Sequence, residues 1–306
     1  MINLIFLLPL LIASNVFAAK QIVITVDDLP GWGLPAGTNP NFLDLIGDAL
    51  VKEQVPATGF VIGKLASQSS DHALTLERWA SKGLPLANHT WDHVKYSSQT
   101  VQEFLVGVER TENILLPIRK KYGPWPLAFR FPMLNQGNTL EQEVAANKYF
   151  QDTKTLLAHV SVDTSDWAFA QYYSQFLLQD PSKLKKLEDL YLQHIFDCLD
   201  WAEKASDHLF SKQIPQIILL HSNSLNGKLM GAILDGLKQR GYTFIGLEKA
   251  LNDKVYASYK YKIIYQPADH FYFHMSNILN KPLPSGRDRS SYQYFKDYWE
   301  PKIKAL

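Results

Sequence analysis

Two adjacent carboxylates follow an apolar run near the start of the chain. The run "QIVITV" is short, apolar and rich in β-branched residues, which predicts a buried strand, and Asp27 and Asp28 stand at its end in "TVDDLP". Adjacent carboxylates repel each other, and one resists ionisation unless a metal ion or a cationic side chain compensates. Successive side chains of a strand point to opposite faces, so we expect the two aspartates to play different parts. A polar turn that only closes the strand is the alternative.

A histidine pair in "NHTWDH" follows the third predicted strand. His89 and His93 are four residues apart, and on one helical turn this spacing directs both imidazoles to the same side, as two ligands of one metal ion require. With one of the two aspartates they make a two-histidine, one-carboxylate set that leaves a coordination position open, which is typical of catalytic zinc sites. One carboxylate would bind the metal, and the other would accept a proton from water. A pair of surface histidines is the alternative.

The elements that must position these residues are strands alternating with helices. The alternation predicts βα units around a mainly parallel sheet or barrel. The predicted strands are "QIVITV", "ATGFVIG", "LPLANH", "PLAFRFP", "LAHVSVDTSDW", "QIILLH" and "YTFIGL", and a polar helical region is expected at about 181–212. Several strand ends carry ionisable residues. Because the carboxyl ends of parallel strands share one face, we expect a site there.

The first residues predict export. Ten apolar residues, Leu4 to Ala13, precede the small residues of "SNVFA", which indicates a signal peptide over residues 1–18 that is cleaved after Ala18. The run is shorter than the about 20 apolar residues that span a bilayer, so we expect no stable membrane insertion after the signal is removed. A buried first strand or helix is the alternative. We expect a periplasmic or secreted protein, and since Cys198 is the only cysteine, it forms no intramolecular disulfide.

The composition indicates a globular chain with a large core. Of the 306 residues, 46% are hydrophobic and 20% are charged, and the formal net charge of +1 offers no electrostatic footprint for nucleic acid. We expect one domain over residues 19–251. Residues 252–306 form an extension rich in aromatic residues, including "YQYFKDYW", which we expect to pack on the domain; a sugar-binding surface is the alternative.

Five short segments, in order along the chain, resemble the motifs of the polysaccharide deacetylase family (NodB homology, carbohydrate esterase family 4). They are "TVDDLP", "HTWDH", "RFP" at 130–132, "DTSDW" at 163–167 and "LLH" ending at His221. The resemblance implies a distorted (β/α) barrel with fewer than eight complete units. Val26, Leu29-Pro30, Val94 and Met133 depart from residues that are common in the family. These departures bear on the substrate, because they remove no ligand or proton carrier.

The resemblance also implies a role for each motif residue. Asp28, His89 and His93 would hold a divalent metal, with Zn²⁺ favoured and Co²⁺, Ni²⁺ or Mn²⁺ as alternatives. Asp27 would be the general base and His221 the general acid. Arg130 would orient Asp27, and Asp166 would orient His221 and keep it protonated. The residues expected to line the substrate pocket are Trp167, Pro132 and Met133.

The implied activity is hydrolysis of an amide C–N bond. A metal ion would lower the pKa of a bound water and polarise the carbonyl, so that N-acetyl groups leave the amino-sugar units of a glycan such as peptidoglycan or chitin. One alternative is an esterase or amidase on the same scaffold that acts on O-acetyl groups or small non-sugar amides. The other is a carbohydrate-binding protein without catalysis, in which an acid and a base would have no use. The sequence predicts neither the particular glycan, nor the oligomeric state, nor the role of the long region 169–213, beyond the suggestion that this region caps the groove.

Overall fold

A computed structural model of the chain describes residues 20–32, 42–259, 270–284 and 288–306. The predicted signal peptide lies outside these ranges. Within them, every helix is too short or too polar to cross a bilayer.

A parallel sheet forms the centre of the fold. Its strands run in the order β5-β4-β3-β2-β1-β7-β6, and β8 pairs with β1. The strands are β1 (Lys20–Leu29), β2 (Ala57–Val61), β3 (Leu86–Asn88), β4 (Ala128–Phe129), β5 (Leu156–Leu157), β6 (Val162–Asp163), β7 (Gln216–His221) and β8 (Tyr242–Phe244). β1 lies in the middle, between β2 and β7, and its residues from Ile22 to Leu29 are buried. Every recorded pairing is parallel, so the expectation of an incomplete (β/α) barrel is confirmed.

Helices cover the outside of the curled sheet. They are α1 (Phe42–Lys52), α2 (Gly63–Ala66), α3 (Ser70–Ser81), α4 (Val101–Tyr122), α5 (Leu140–Asp152), α6 (Asp166–Gln179), α7 (Leu184–Phe210), α8 (Ser224–Gln239), α9 (Leu247–Leu251), α10 (Lys254–Tyr259), α11 (Phe271–Leu279), α12 (Tyr292–Tyr294) and α13 (Glu300–Lys304). The start of α4 follows from the sequence. The Thr100 side chain accepts from the Glu103 backbone N–H, and Glu103 accepts from the Thr100 backbone N–H, which is a capping box at the start of α4.

Two of the predicted strands are shorter than expected, and both lie near the ends of the sheet. "PLAFRFP" contributes only the two residues of β4, and "LAHVSVDTSDW" is divided into β5 and β6. The chain crosses from one edge of the sheet to the other between them: Ala158 donates to Phe129 on one side, and Ser161 donates to Ile217 on the other. The prediction of one continuous strand was therefore wrong here.

The barrel is open at this crossing. Among the residues that the structure describes, no ladder joins β5 to β6. The Phe271 N–H donates to the Val160 carbonyl at 2.7 Å, and the Tyr259 ring lies 4.6 Å from that of His159. Helices α10 and α11 thus pack against the open side of the barrel. The domain boundary after residue 251 stays a prediction.

Candidate active site

A cleft of about 650 Å³ opens at the carboxyl ends of the central strands. Seven of the ten predicted site residues line it, namely Asp27, Asp28, His89, His93, Met133, Trp167 and His221. Arg130 is buried behind Asp27, and Asp166 is buried behind His221. Pro132 is buried and is not among the described residues that line the cleft. The fold therefore brings four of the five motifs to the cleft wall and places the "RFP" arginine directly behind it.

Both aspartates of "TVDDLP" reach the cleft because β1 is irregular at its end. The register of β1 against β2 shifts between Val26 and Leu29, and Asp28 has a left-handed φ of 66°. Asp27 Oδ2 lies 3.6 Å and Asp28 Oδ1 lies 3.5 Å from His89 Nε2. The expectation that regular alternation would turn the two side chains to opposite faces was wrong, since a bulge rotates one of them back.

The two histidines converge from a loop and not from a helical turn. Thr90 and His93 have φ values of 64° and 59°, and the residues between them form a bend. The Thr90 N–H donates to Asn88 Oδ1 at 2.8 Å, which fixes the start of this loop. The imidazole centroids of His89 and His93 are 4.9 Å apart. The helical prediction was wrong, although the spacing does bring the rings together.

Asp28, His89 and His93 fit a metal ion. Their candidate ligand atoms all lie within 4.8 Å of one another. Asp28 Oδ1 is buried and accepts no hydrogen bond from the described residues, although His93 Nε2 is 3.3 Å away. Asp28 Oδ2 accepts from Trp32 Nε1 at 2.8 Å. An orphaned carboxylate oxygen that faces two imidazole nitrogens is what a cation would satisfy, and three protein ligands leave a position open.

The surroundings of His89 favour the protonation state that a ligand needs. Its Nδ1 lies 2.8 Å from the Arg130 carbonyl, so Nδ1 carries the proton and Nε2 presents its lone pair to the cleft. Burial, and after it the neighbouring His93, lower the pKa of His89 to about 3. The ring is therefore neutral at physiological pH, as metal binding requires.

A buried arginine holds Asp27. Arg130 Nη1 donates to Asp27 Oδ1 at 2.7 Å and to Thr25 Oγ1 at 2.8 Å, and Nε donates to the Ala158 carbonyl at 3.2 Å. The guanidinium also lies over the Phe60 ring at 4.3 Å. Burial raises the pKa of Asp27 by more than Arg130 lowers it. The pKa of Asp27 is therefore raised overall, whereas the ion pair alone would lower it.

A second carboxylate holds His221. Asp166 Oδ1 lies 2.6 Å from His221 Nδ1, and its Oδ2 accepts from the His221 backbone N–H and from the side-chain amides of Asn223 and Asn226. Burial lowers the pKa of His221, but the charge and hydrogen bond of Asp166, together with the charges of Asp28 and Asp27, outweigh burial and raise this pKa to about 10. Because Nδ1 is bonded to Asp166, Nε2 is the ring nitrogen left to act in the cleft.

The cleft walls include residues that the sequence did not single out. One of them is Asp163, the first residue of "DTSDW", for which no role was predicted, and burial raises its pKa to about 6. His270, Ser290, Ser291 and Tyr292 come from the extension. They belong to the aromatic-rich extension that was expected to pack on the core. No residue of 169–213 is found among the described cleft residues, so the suggestion that this region caps the groove was wrong.

Comparison with known proteins gives the same family as the motifs. Residues 14–151 match the family model described as "Polysaccharide deacetylase". The chain is 25% identical over 150 residues to the peptidoglycan-N-acetylglucosamine deacetylase PgdA of Listeria monocytogenes, a match that covers 49% of this chain and 27% of that protein. It is 29% identical over 159 residues to the chitooligosaccharide deacetylase of Sinorhizobium fredii, covering 49% of this chain and 61% of that protein. The chain therefore spans less than two thirds of either relative.

Solved structures show the same fold. The peptidoglycan deacetylase PdaC from Bacillus subtilis superimposes with a TM-score of 0.51 at 22% identity, over 79% of this chain and 95% of that one. The predicted resemblance to the polysaccharide deacetylase family is confirmed by the family model over residues 14–151 and by these relatives.

Proposed function

We propose that the protein is a metal-dependent hydrolase that removes N-acetyl groups from the amino-sugar units of a glycan. The observation that carries this proposal is the pairing of Asp27 with His221. They are register partners on β1 and β7, and each has its own buried partner of opposite charge. A proton acceptor and a proton donor thus stand side by side next to the candidate metal ligands.

Asp28, His89 and His93 would hold the cation, with Zn²⁺ favoured by two imidazoles and one carboxylate. When bound, the cation supplies Lewis-acid polarisation of the acetyl carbonyl and lowers the pKa of water at the open position. The residues of the chain do the rest. Asp27 accepts the proton of the attacking water, and the burial that raises its pKa makes it a stronger base. Arg130 keeps its carboxylate in one direction.

Bond cleavage requires a proton on nitrogen. An amine leaves an amide carbon readily only when it is protonated, and His221 enters the reaction as an imidazolium whose Nε2 can donate. Water adds to the carbonyl carbon, the C–N bond breaks, and the nitrogen takes the His221 proton. Acetate and a free amino sugar are the products. The proton that Asp27 took from water then passes through solvent to His221, which regenerates both side chains for the next cycle.

The glycan part of the proposal has two supports. The relatives are named for peptidoglycan and chitooligosaccharide substrates. The cleft is open to solvent and lined by the exposed side chains of Trp167 and Met133, which suits an extended substrate. Such glycans lie outside the cytoplasm, which agrees with the predicted signal peptide and a periplasmic or secreted location.

Acetate release tests the proposal. The purified chain, first treated with a chelator, is incubated with N-acetylglucosamine oligomers or peptidoglycan, with and without Zn²⁺. We expect release only with metal, and a loss of at least about 100-fold in Asp27→Asn. Asp92→Asn is the matched control. Asp92 is an exposed aspartate of the "HTWDH" segment, and this variant should retain activity.

Two results would contradict the proposal. If Zn²⁺ binds but no acetate appears, N-deacetylation of these glycans is wrong, and acetylated xylan and small amides then test the other acyl substrates. If Asp27→Asn is as active as the wild-type chain, the assignment of the base is wrong. Absence of hydrolysis of every acyl substrate, together with retained glycan binding, would favour the non-catalytic alternative.

A further inference from the structure

We propose that residues 290–292 complete a sugar subsite in the cleft, with Tyr292 and Trp167 as its aromatic wall. The occupant is the pyranose ring next to the reacting amino sugar. This proposal rests on the proposed function of the same cleft and extends it, because it assigns the enzyme to oligomeric glycans and gives the C-terminal segment a role in binding.

The two rings form one exposed surface although they are distant in sequence. Trp167 lies in the first turn of α6 and Tyr292 at the start of α12, with ring centroids 4.7 Å apart and ring planes at 39°. Trp167 is 37% exposed and Tyr292 is 44% exposed, and both line the cleft that holds Asp27 and His221. Other rings of the extension, such as Tyr256 and Phe271, are almost fully buried. An exposed aromatic pair beside a reactive centre indicates a binding surface.

The Tyr292 ring is held from behind. It stacks on Phe295 at 5.8 Å and 11°, and Phe295 is buried against Phe169 at 5.0 Å. The Ser291 side chain accepts from the Tyr294 N–H at 3.2 Å and caps the short helix. A ring that is fixed before the ligand arrives loses little rotamer freedom on binding, so its contact energy is available for affinity.

The chemistry of this wall suits a sugar ring. A pyranose has a face of C–H groups that packs on an aromatic ring, and a rim of hydroxyls that needs polar partners. Polar side chains line the cleft beside the two rings, namely Ser290 and Ser291 from the same segment and Lys95 from the motif loop. A cleft of about 650 Å³ has room for more than the one sugar unit that reacts.

The test measures affinity as a function of chain length, by calorimetry on the full chain carrying Asp27→Asn so that substrate is not consumed. The probes are N-acetylglucosamine and its tetramer. We expect the tetramer to bind more tightly than the monomer. Tyr292→Ala should reduce the tetramer-to-monomer affinity ratio by about tenfold, the loss of one ring contact, whereas Tyr292→Phe should keep the ratio. Tyr298→Ala removes a similarly exposed ring outside the cleft and should change nothing.

Each result decides the matter. An unchanged ratio in Tyr292→Ala, or a chain that binds the tetramer no more tightly than the monomer, overturns the subsite. Tetramer binding that depends on Tyr292, with no acetate release by the wild-type chain, supports the subsite and overturns the proposed hydrolase. Acetate release by the wild-type chain, with tetramer binding that does not depend on Tyr292, supports the proposed hydrolase and overturns the subsite. Thermal unfolding of the Tyr292 variants confirms that each is folded.

Discussion

Replacing Asp166 by asparagine should remove the charge that keeps His221 protonated while it preserves the shape of the site. Three N–H donors point at Asp166 Oδ2: the His221 backbone and the side chains of Asn223 and Asn226. In Asp166→Asn these donors hold the amide oxygen in that position and turn the NH₂ group towards His221 Nδ1. An NH₂ group cannot accept the Nδ1 proton, so it favours the neutral ring.

The magnitude follows from the pKa values. With Asp166 present the pKa of His221 is about 10, so nearly every ring is protonated at pH 7.5. Without the Asp166 carboxylate, burial still lowers the pKa and only Asp28 and Asp27 still raise it, so we expect a value near the ordinary 6.5, at which about one ring in ten is protonated at pH 7.5. The change of about 3.5 units corresponds to about 5 kcal/mol of interaction with the proton. Activity at pH 7.5 should fall at least about tenfold, and about tenfold more for each further pH unit.

The assay is a pH profile of kcat/KM for acetate release with Zn²⁺ present, from pH 5 to 10. We expect the wild-type rate to persist to high pH and the Asp166→Asn rate to decline above about pH 6.5. Asp92→Asn serves as the control with a wild-type profile. If Asp166→Asn is slower by a constant factor at every pH, the carboxylate only positions the ring. If its profile and rate equal those of the wild type, His221 is not the acid.

The same pair predicts how stability depends on pH. The pKa of His221 in the folded chain, about 10, lies above that of an unfolded histidine, about 6.5. Its contribution to the free energy of unfolding is therefore fully present below about pH 6.5 and is lost as the pH rises towards 10. In denaturant titrations, the stability difference between wild type and Asp166→Asn should narrow from pH 6 to pH 10. A difference that widens over this range would contradict the ion pair.

Three further tests, the last with a matched control, probe the architecture around the site. Arg130→Leu leaves its partner carboxylate buried and unpaired, and should lower the free energy of unfolding by about 3–5 kcal/mol in denaturant titration; a loss below about 1 kcal/mol would contradict the burial argument. Trp32→Phe removes the N–H that holds Asp28 Oδ2 and should weaken Zn²⁺ binding by about 10- to 100-fold in calorimetry, whereas unchanged affinity would show that this bond is dispensable. Gly236→Ala places a Cβ 2.1 Å from a phenylalanine ring and should cost about 1–3 kcal/mol, whereas Gly231→Ala in the same helix meets nothing within 4 Å and should stabilise by about 0.5–1 kcal/mol; equal melting temperatures would contradict the packing.

The parts of the fold that the sequence predicts well are those decided by burial. β1 and β7 are buried on both faces, so their apolar runs stand out from the chain. Helix α7 occupies Leu184–Phe210, within the predicted polar helical region, because one stripe of it packs on the core. The polar residues at the ends of β1 and β7 then mark the edge of the sheet where the cleft lies. Strands of two residues, such as β4, bury too little to leave a pattern.

The parts that the sequence does not predict depend on backbone conformation at single residues. Asp28, Thr90 and His93 adopt left-handed φ values that residues other than glycine rarely take, and no local pattern signals them. Regular alternation and helical periodicity are averages over standard backbone, and both gave the wrong local structure here. The pairing of Trp167 with Tyr292 is equally invisible, because it depends on how the C-terminal segment crosses the opening of the barrel.

The left-handed residues also explain how the site is held. Each such residue costs about 1–3 kcal/mol, so it persists only where its surroundings fix it. Two of those in the motifs are fixed by short local hydrogen bonds: Asn88 Oδ1 accepts from the Thr90 N–H at 2.8 Å, and Asp163 Oδ1 accepts from the Ser165 N–H at 2.9 Å. Asp163 therefore has a structural task at the turn that presents Asp166. A cleft residue that looks reactive because burial raises its pKa thus holds the backbone that positions the partner of His221.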